Sequence, residues 1–64
     1  MTILAKFTNT KYGIQSHVYR TAIGYNVALM DTDAGKYLPT MTIYPTDMEN
    51  ALDKALAKAK ELVE

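Results

Sequence analysis

The C-terminal stretch Pro45-Thr46-Asp47-Met48-Glu49-Asn50-Ala51-Leu52-Asp53-Lys54-Ala55-Leu56-Ala57-Lys58-Ala59-Lys60-Glu61-Leu62-Val63-Glu64 decides the fold. Met48, Ala51, Leu52, Ala55, Leu56, Ala59, Leu62 and Val63 recur at i, i+3 and i+4, which makes one apolar stripe along a helix. Asn50, Asp53, Lys54, Ala57, Lys58, Lys60 and Glu61 fall on the other side. Ala, Leu, Lys and Glu are good helix formers. Thr46 with Glu49 three residues later has the spacing of a capping box, and Asp47 is a rival cap. The expected helix covers residues 47–63.

Everything before this helix has the texture of strands. Residues 2–8 alternate Ile3, Ala5 and Phe7 against Leu4 and Lys6. Residues 16–22 are rich in Val, Tyr and Thr and leave two registers open: Val18, Arg20 and Ala22 inward, or His17, Tyr19 and Thr21 inward. Arg20 is costly to bury, which favours Tyr19 inward unless the strand lies at an edge. Residues 25–31 put Tyr25, Val27 and Leu29 on one face, the cleanest inward set in the chain. Residues 37–44 set Met41 and Ile43 against Thr40, Thr42 and Tyr44. Pro39 donates no backbone hydrogen bond, so it belongs at an edge, a strand start or a bulge. Gly13, Gly24 and Gly35 punctuate the runs. The expected architecture is α+β in two layers: one domain over 1–64, an antiparallel ββββ meander with one C-terminal helix on one face.

Size and composition bound the rest. A 64-residue chain buries only about 60% of its unfolded surface. Leu, Ile, Val and Phe supply 14 residues, on the globular side of the disorder boundary. There is no cysteine, hence neither a disulfide nor a Cys-based zinc site. No apolar run approaches the ~20 residues of a membrane span, and Lys6 breaks the N-terminal one too early for a secretory leader. A cytoplasmic location is expected. The formal net charge is zero, but it divides. Residues 1–30 carry Lys6, Lys11 and Arg20 with no acid, and the remainder carries an excess of three acids.

Chemistry-bearing motifs are absent from the pattern. His17 is the single histidine, with no cysteine or carboxylate near it in sequence to make a base or a metal site. Asp31-Thr32-Asp33-Ala34-Gly35 opens like a calcium loop, but Gly falls at position five and Thr42 stands where the bidentate Glu belongs. It reads as a polar hairpin turn. The three glycines are isolated, so no phosphate-cradling loop is present. No cofactor, no metal and no enzymatic activity are expected.

One helix covers one face of a four-stranded sheet, so function is expected on the other. Two binding readings follow. In the first, the chain is a small protein-interaction module, of the sort frequent among prokaryotic and phage regulators or inhibitors. It would grip a protein partner, or pair with itself, through the open face, an edge strand or the helix. Leu4, Met30, Leu38 and Tyr44 are the expected face of a homodimer. In the second, nucleic acid is the partner. Lys6, Lys11, Tyr12, His17, Tyr19, Arg20 and Tyr25 would then supply phosphate contacts and stacking.

From Tyr19-Arg20 through Gly24-Tyr25-Asn26-Val27 to Thr46-Asp47-Met48-Glu49-Asn50-Ala51, the chain loosely resembles three-strands-plus-helix DNA-binding domains of plant transcription factors and integrase arms. The Arg-x-Arg pairs and tryptophans of those readers are missing from this sequence. Gly24-Tyr25-x-Val27 with Asn50-Ala51-Leu52 is equally similar to small antitoxin folds of the HicB kind. The first resemblance implies DNA contact and the second a regulator. The outline serves both families and singles out neither.

Overall fold

A computed structural model describes residues 2–64. Four strands precede one helix: β1 (Ile3–Asn9), β2 (Ile14–Arg20), β3 (Gly24–Asp31), β4 (Lys36–Pro45) and α1 (Ala51–Val63). The strands form one antiparallel sheet in the order β1-β2-β3-β4. The helix lies across all four strands on one face. This is the ββββα meander expected from the alternation of the strands and the single helical stripe.

The core is thin. It consists of Val18 and Val27 from the central strands against Ala55 and Ala59 of the helix. Ala5, Phe7, Tyr25, Tyr44, Leu56 and Leu62 close its margins. The helix meets the sheet mainly through methyl groups, because Ala51, Ala55 and Ala59, with Val63 at its end, are its buried positions, while Leu52 stays exposed. Small side chains let the helix sit close. Ser16 Oγ donates to the carbonyl of Ala59 at 2.7 Å, tying β2 directly to the helix backbone. Asn9 Nδ2 donates to the carbonyl of Val63 at 2.7 Å, filling one acceptor that a helix C-terminus otherwise leaves open. The Asn9 Oδ1 atom accepts from the N–H groups of Lys11 and Tyr12, so the same side chain shapes the β1–β2 turn.

Four local expectations are corrected. First, the helix starts at Ala51, not near residue 47, and Thr46 with Glu49 forms no capping box. Residues 46–50 are turns, entered by the Met48 N–H donating to the Pro45 carbonyl. Asn50 is the N-cap in the left-handed region (φ 57°) and makes no side-chain cap bond. Asparagine tolerates that conformation better than most residues. Second, β2 runs two residues earlier than residues 16–22 and points Ser16 and Val18 at the helix. Arg20 ends the strand, so it follows the inward parity without being buried. Third, β4 faces the opposite way from the expected dimer face, which places Tyr44 on the open side. Tyr44 packs against the helix-side core, and Met41 and Ile43 lie on the other side. Tyr25 and Tyr44 are direct cross-strand partners, and their rings fill the end of a core that alanines leave shallow. Fourth, a bulge between Ile3 and Ala5 pairs Ile3 with Tyr19, so Ile3 leaves the Ala5–Phe7 set.

Candidate interaction surface

The side of the sheet away from the helix is built from the alternate residues. Lys6, His17, Ala28 and Met41 stand in one cross-strand row. Thr8, Gln15, Met30 and Tyr37 form the next row, and Tyr19, Asn26 and Ile43 the one on the other side. The middle of this face is buried although no helix covers it: His17, Tyr19, Asn26 and Ala28 are nearly inaccessible. Their cover comes from long side chains along the margins.

His17 anchors that cover. Its Nε2 lies 2.5 Å from Gln15 Oε1 and its Nδ1 lies 2.8 Å from the Tyr37 hydroxyl. The Gln15 amide is oriented by its own Nε2, which donates to Thr8 Oγ1 at 2.9 Å. Its Oε1 therefore accepts, His17 Nε2 carries the proton, and Nδ1 of the neutral ring accepts from the Tyr37 O–H. The two rings meet edge to face, centroids 5.4 Å apart. Burial, and then the Lys6 ammonium, hold the His17 pKa below its ordinary value of 6.5. Asn26 is satisfied likewise: Thr21 Oγ1 donates to its Oδ1, and its Nδ2 points at the Met41 sulfur at 3.4 Å. Among the described residues, no buried side-chain nitrogen or oxygen lacks a partner.

Around this closed polar centre lies an apolar rim. Tyr37, Met41 and Ile43 of β4 are 52%, 51% and 41% exposed, and Leu4 and Leu38 add exposed surface beside the two bulges. Exposed apolar side chains therefore surround a centre whose buried polar groups are satisfied internally. No ring of ionisable ligands with metal-binding potential occurs among the described residues.

The seven residues considered for nucleic acid separate into three places. Lys6, His17 and Tyr19 lie on the open face. Arg20 stacks over the Tyr25 ring, 5.3 Å from its centroid, on the helix side. Lys11 and Tyr12 pair similarly in the β1–β2 turn, at 5.4 Å. Of the expected dimer face, Met30 is on the open side, half-buried beside Tyr37. Leu4 is the residue out of register at the β1 bulge, and Leu38 sits in the irregularity of β4. Tyr44 belongs to the helix side. Tyr37, Met41 and Ile43 were missed as a set. The signal lies in the sequence as alternate apolar residues between Lys36 and Asp47, but the expected dimer face takes Leu38 and Tyr44, which have the opposite parity.

No helix among the described residues is long and apolar enough to cross a membrane. No protein-family model, no curated protein and no solved structure matches this chain.

Proposed function

We propose that this chain is a small, non-enzymatic protein-interaction module. Its working surface is the uncovered side of the sheet, centred on Tyr37, Met41 and Ile43. The single observation that carries the reading is the pairing of that exposed apolar rim with a platform whose buried polar side chains are all internally satisfied. Such a platform asks its partner for shape and apolar contact, not for hydrogen bonds to buried groups. A tyrosine and a methionine suit this role, the first as a stiff amphipathic anchor and the second as an adaptable one. A regulator or inhibitor acting in the cytoplasm by occupying a protein partner fits a neutral, cysteine-free chain of this size. The nucleic-acid alternative asks cations and aromatics to converge, and Arg20 with Tyr25 on the helix side does not join Lys6, His17 and Tyr19.

The test is affinity capture on the immobilised chain, with nuclease-treated lysate, beside a Met41→Glu variant. A partner retained by the wild type and lost with Met41→Glu is the expected result. Equal retention by both removes the open face from the account. Retention that vanishes with nuclease, together with salt-dependent binding to DNA-cellulose, would transfer the function to nucleic acid.

A further inference from the structure

The backbone of β4 carries a second message. In an antiparallel ladder, alternate residues direct their N–H and C=O groups to the same neighbour, and the others direct theirs away. Gly24 pairs with Pro45, while the Thr46 N–H donates to the carbonyl of Ile23, one step outside that pair. A bond so placed marks Gly24–Pro45 as a pair without mutual hydrogen bonds. Tyr44 and Thr42 therefore direct their backbone groups to β3. Met41, Ile43 and Pro45 direct theirs outward, to the open edge, and Pro45 has no N–H to offer.

The two edges of the sheet are not guarded alike. The same logic, from the Thr32 N–H donating to Gly13 beside the Ile14–Asp31 pair, makes Lys6 and Thr8 the outward residues of β1. That edge carries a charge and a bulge, two common guards against pairing. On β4, residues 37–46 hold no charged side chain. Its guards stand at its two ends: Lys36 and the irregular stretch opposite Leu29 that holds Pro39 at one, and Pro45 at the other. Between the prolines lies Thr40-Met41-Thr42-Ile43-Tyr44, rich in β-formers and symmetrical in kind about Thr42.

We propose that β4 pairs antiparallel with β4 of a second copy of this chain, about a two-fold axis at Thr42. In that register Met41 exchanges hydrogen bonds with Ile43 of the second copy, and Ile43 with its Met41. Thr42 faces Thr42 across the axis. Centring the pair on Met41 would set Ile43 against Pro39, and centring it on Ile43 would set Met41 against Pro45, each with a donor missing. Only the Thr42 register uses both outward N–H groups, and it sets Pro39 against Pro45 of the second copy, just beyond the Met41–Ile43 bonds. Charge does not oppose it, because the chain is neutral overall and the window is uncharged. The sheet continues through the axis with both helices on one side. Met41 and Ile43 of the two copies then merge into one apolar strip on the uncovered face. This deepens the interaction reading and rests on it for the use of that face, while the pairing stands on the β4 backbone.

The absence of cysteine makes the test clean. Thr42 pairs would face each other as a close, non-hydrogen-bonded pair with Cα atoms about 4.5 Å apart, within disulfide reach. With oxidised glutathione as oxidant, Thr42→Cys is expected to form covalent dimer at least roughly tenfold faster than Thr8→Cys on the β1 edge, through its high effective concentration. Sedimentation equilibrium of the wild type is expected to rise from 7.1 kDa toward twice that mass, and Ile43→Lys to remain at 7.1 kDa. The mass comparison holds even where Thr42→Cys fails to fold. Cross-linking no faster than Thr8→Cys, or a wild-type mass fixed at 7.1 kDa up to about 1 mM, overturns the proposal. A monomer that still captures a partner through Met41 refutes self-pairing alone. A β4 dimer that captures nothing refutes the partner reading alone.

Discussion

Replacing Ala55 by Leu adds three carbon atoms where the helix touches the sheet. Ala55 has no accessible surface, and its neighbours Val18 and Val27 have essentially none. The added atoms find no cavity, so the helix must lift or the valines must leave their rotamers. Overpacking of this kind costs about 1–3 kcal/mol. Lifting the helix also stretches the Ser16–Ala59 and Asn9–Val63 hydrogen bonds, both 2.7 Å long. Each is worth roughly 0.5–1.5 kcal/mol. The combined loss is about 2–6 kcal/mol, against a total stability of roughly 3–10 kcal/mol for a chain of this length. Leu52→Ala removes a larger side chain from the same helix, but one that is 37% exposed, and costs only about 1 kcal/mol. Urea unfolding followed by far-UV circular dichroism measures both. The expected order is Ala55→Leu much weaker than Leu52→Ala, with unchanged m-values. An Ala55→Leu protein within about 0.5 kcal/mol of wild type, or less damaged than Leu52→Ala, would refute the alanine contact as the seat of the fold.

Other perturbations separate competing accounts of the same residues. Gly24→Ala pushes a methyl group into the Tyr44 carbonyl oxygen and to within 2.8 Å of the Pro45 Cα, both backbone. A loss of about 1–3 kcal/mol is expected in thermal unfolding, and a neutral result would show that β3 and β4 are spaced more widely. Thr46→Ala and Glu49→Ala are expected to change stability by less than about 0.5 kcal/mol, because they form no cap, whereas a working capping box would lose about 1 kcal/mol. Asn50→Val forces a β-branched residue into the left-handed region and is expected to cost about 1–2 kcal/mol, with Asn50→Gly near neutral in the same urea series. His17 is held below its ordinary pKa, so the unfolded chain binds more protons between the two values. Its contribution is full above pH 6.5 and is lost as the pH falls through the lowered folded value. The urea midpoint should fall across that window in the wild type and less in His17→Gln, and equal falls in both would assign the acid sensitivity to other groups.

Some of this architecture was legible because the signal is redundant. The helix repeats its apolar period over several turns, and Tyr25, Val27 and Leu29 alternate without interruption. The faces of β2 and β4 were not legible, for different reasons. In β2, the cost of burying Arg20 argued against the true register. Strand parity says which way a side chain points, but not that the strand stops there and releases the guanidinium to solvent. In β4, Met41 and Ile43 are more apolar than Thr42 and Tyr44, and hydrophobicity alone would turn them inward. The core made by alanines is too shallow to need them, and two tyrosines paired in register close its end instead. The helix start misled because Thr46 and Glu49 have the right spacing. The decisive event is backbone geometry at Asn50, which a side-chain pattern does not encode. The long contacts of Asn9 and Ser16 to the helix join residues 54 and 43 positions apart, beyond any local period.

The uncovered side of the sheet and its β4 edge are the working surface in this account. Amide hydrogen exchange of β4, resolved by residue and repeated over a range of protein concentrations, tests that most directly. Thr42 and Tyr44 bond to β3 and should be protected at every concentration. Met41 and Ile43 point outward and should exchange quickly in dilute solution, then slow as concentration rises and the second copy covers them. Concentration-independent exchange at Met41 and Ile43 would contradict the self-pairing of β4. Protection of those two amides already in dilute solution would contradict the open edge itself.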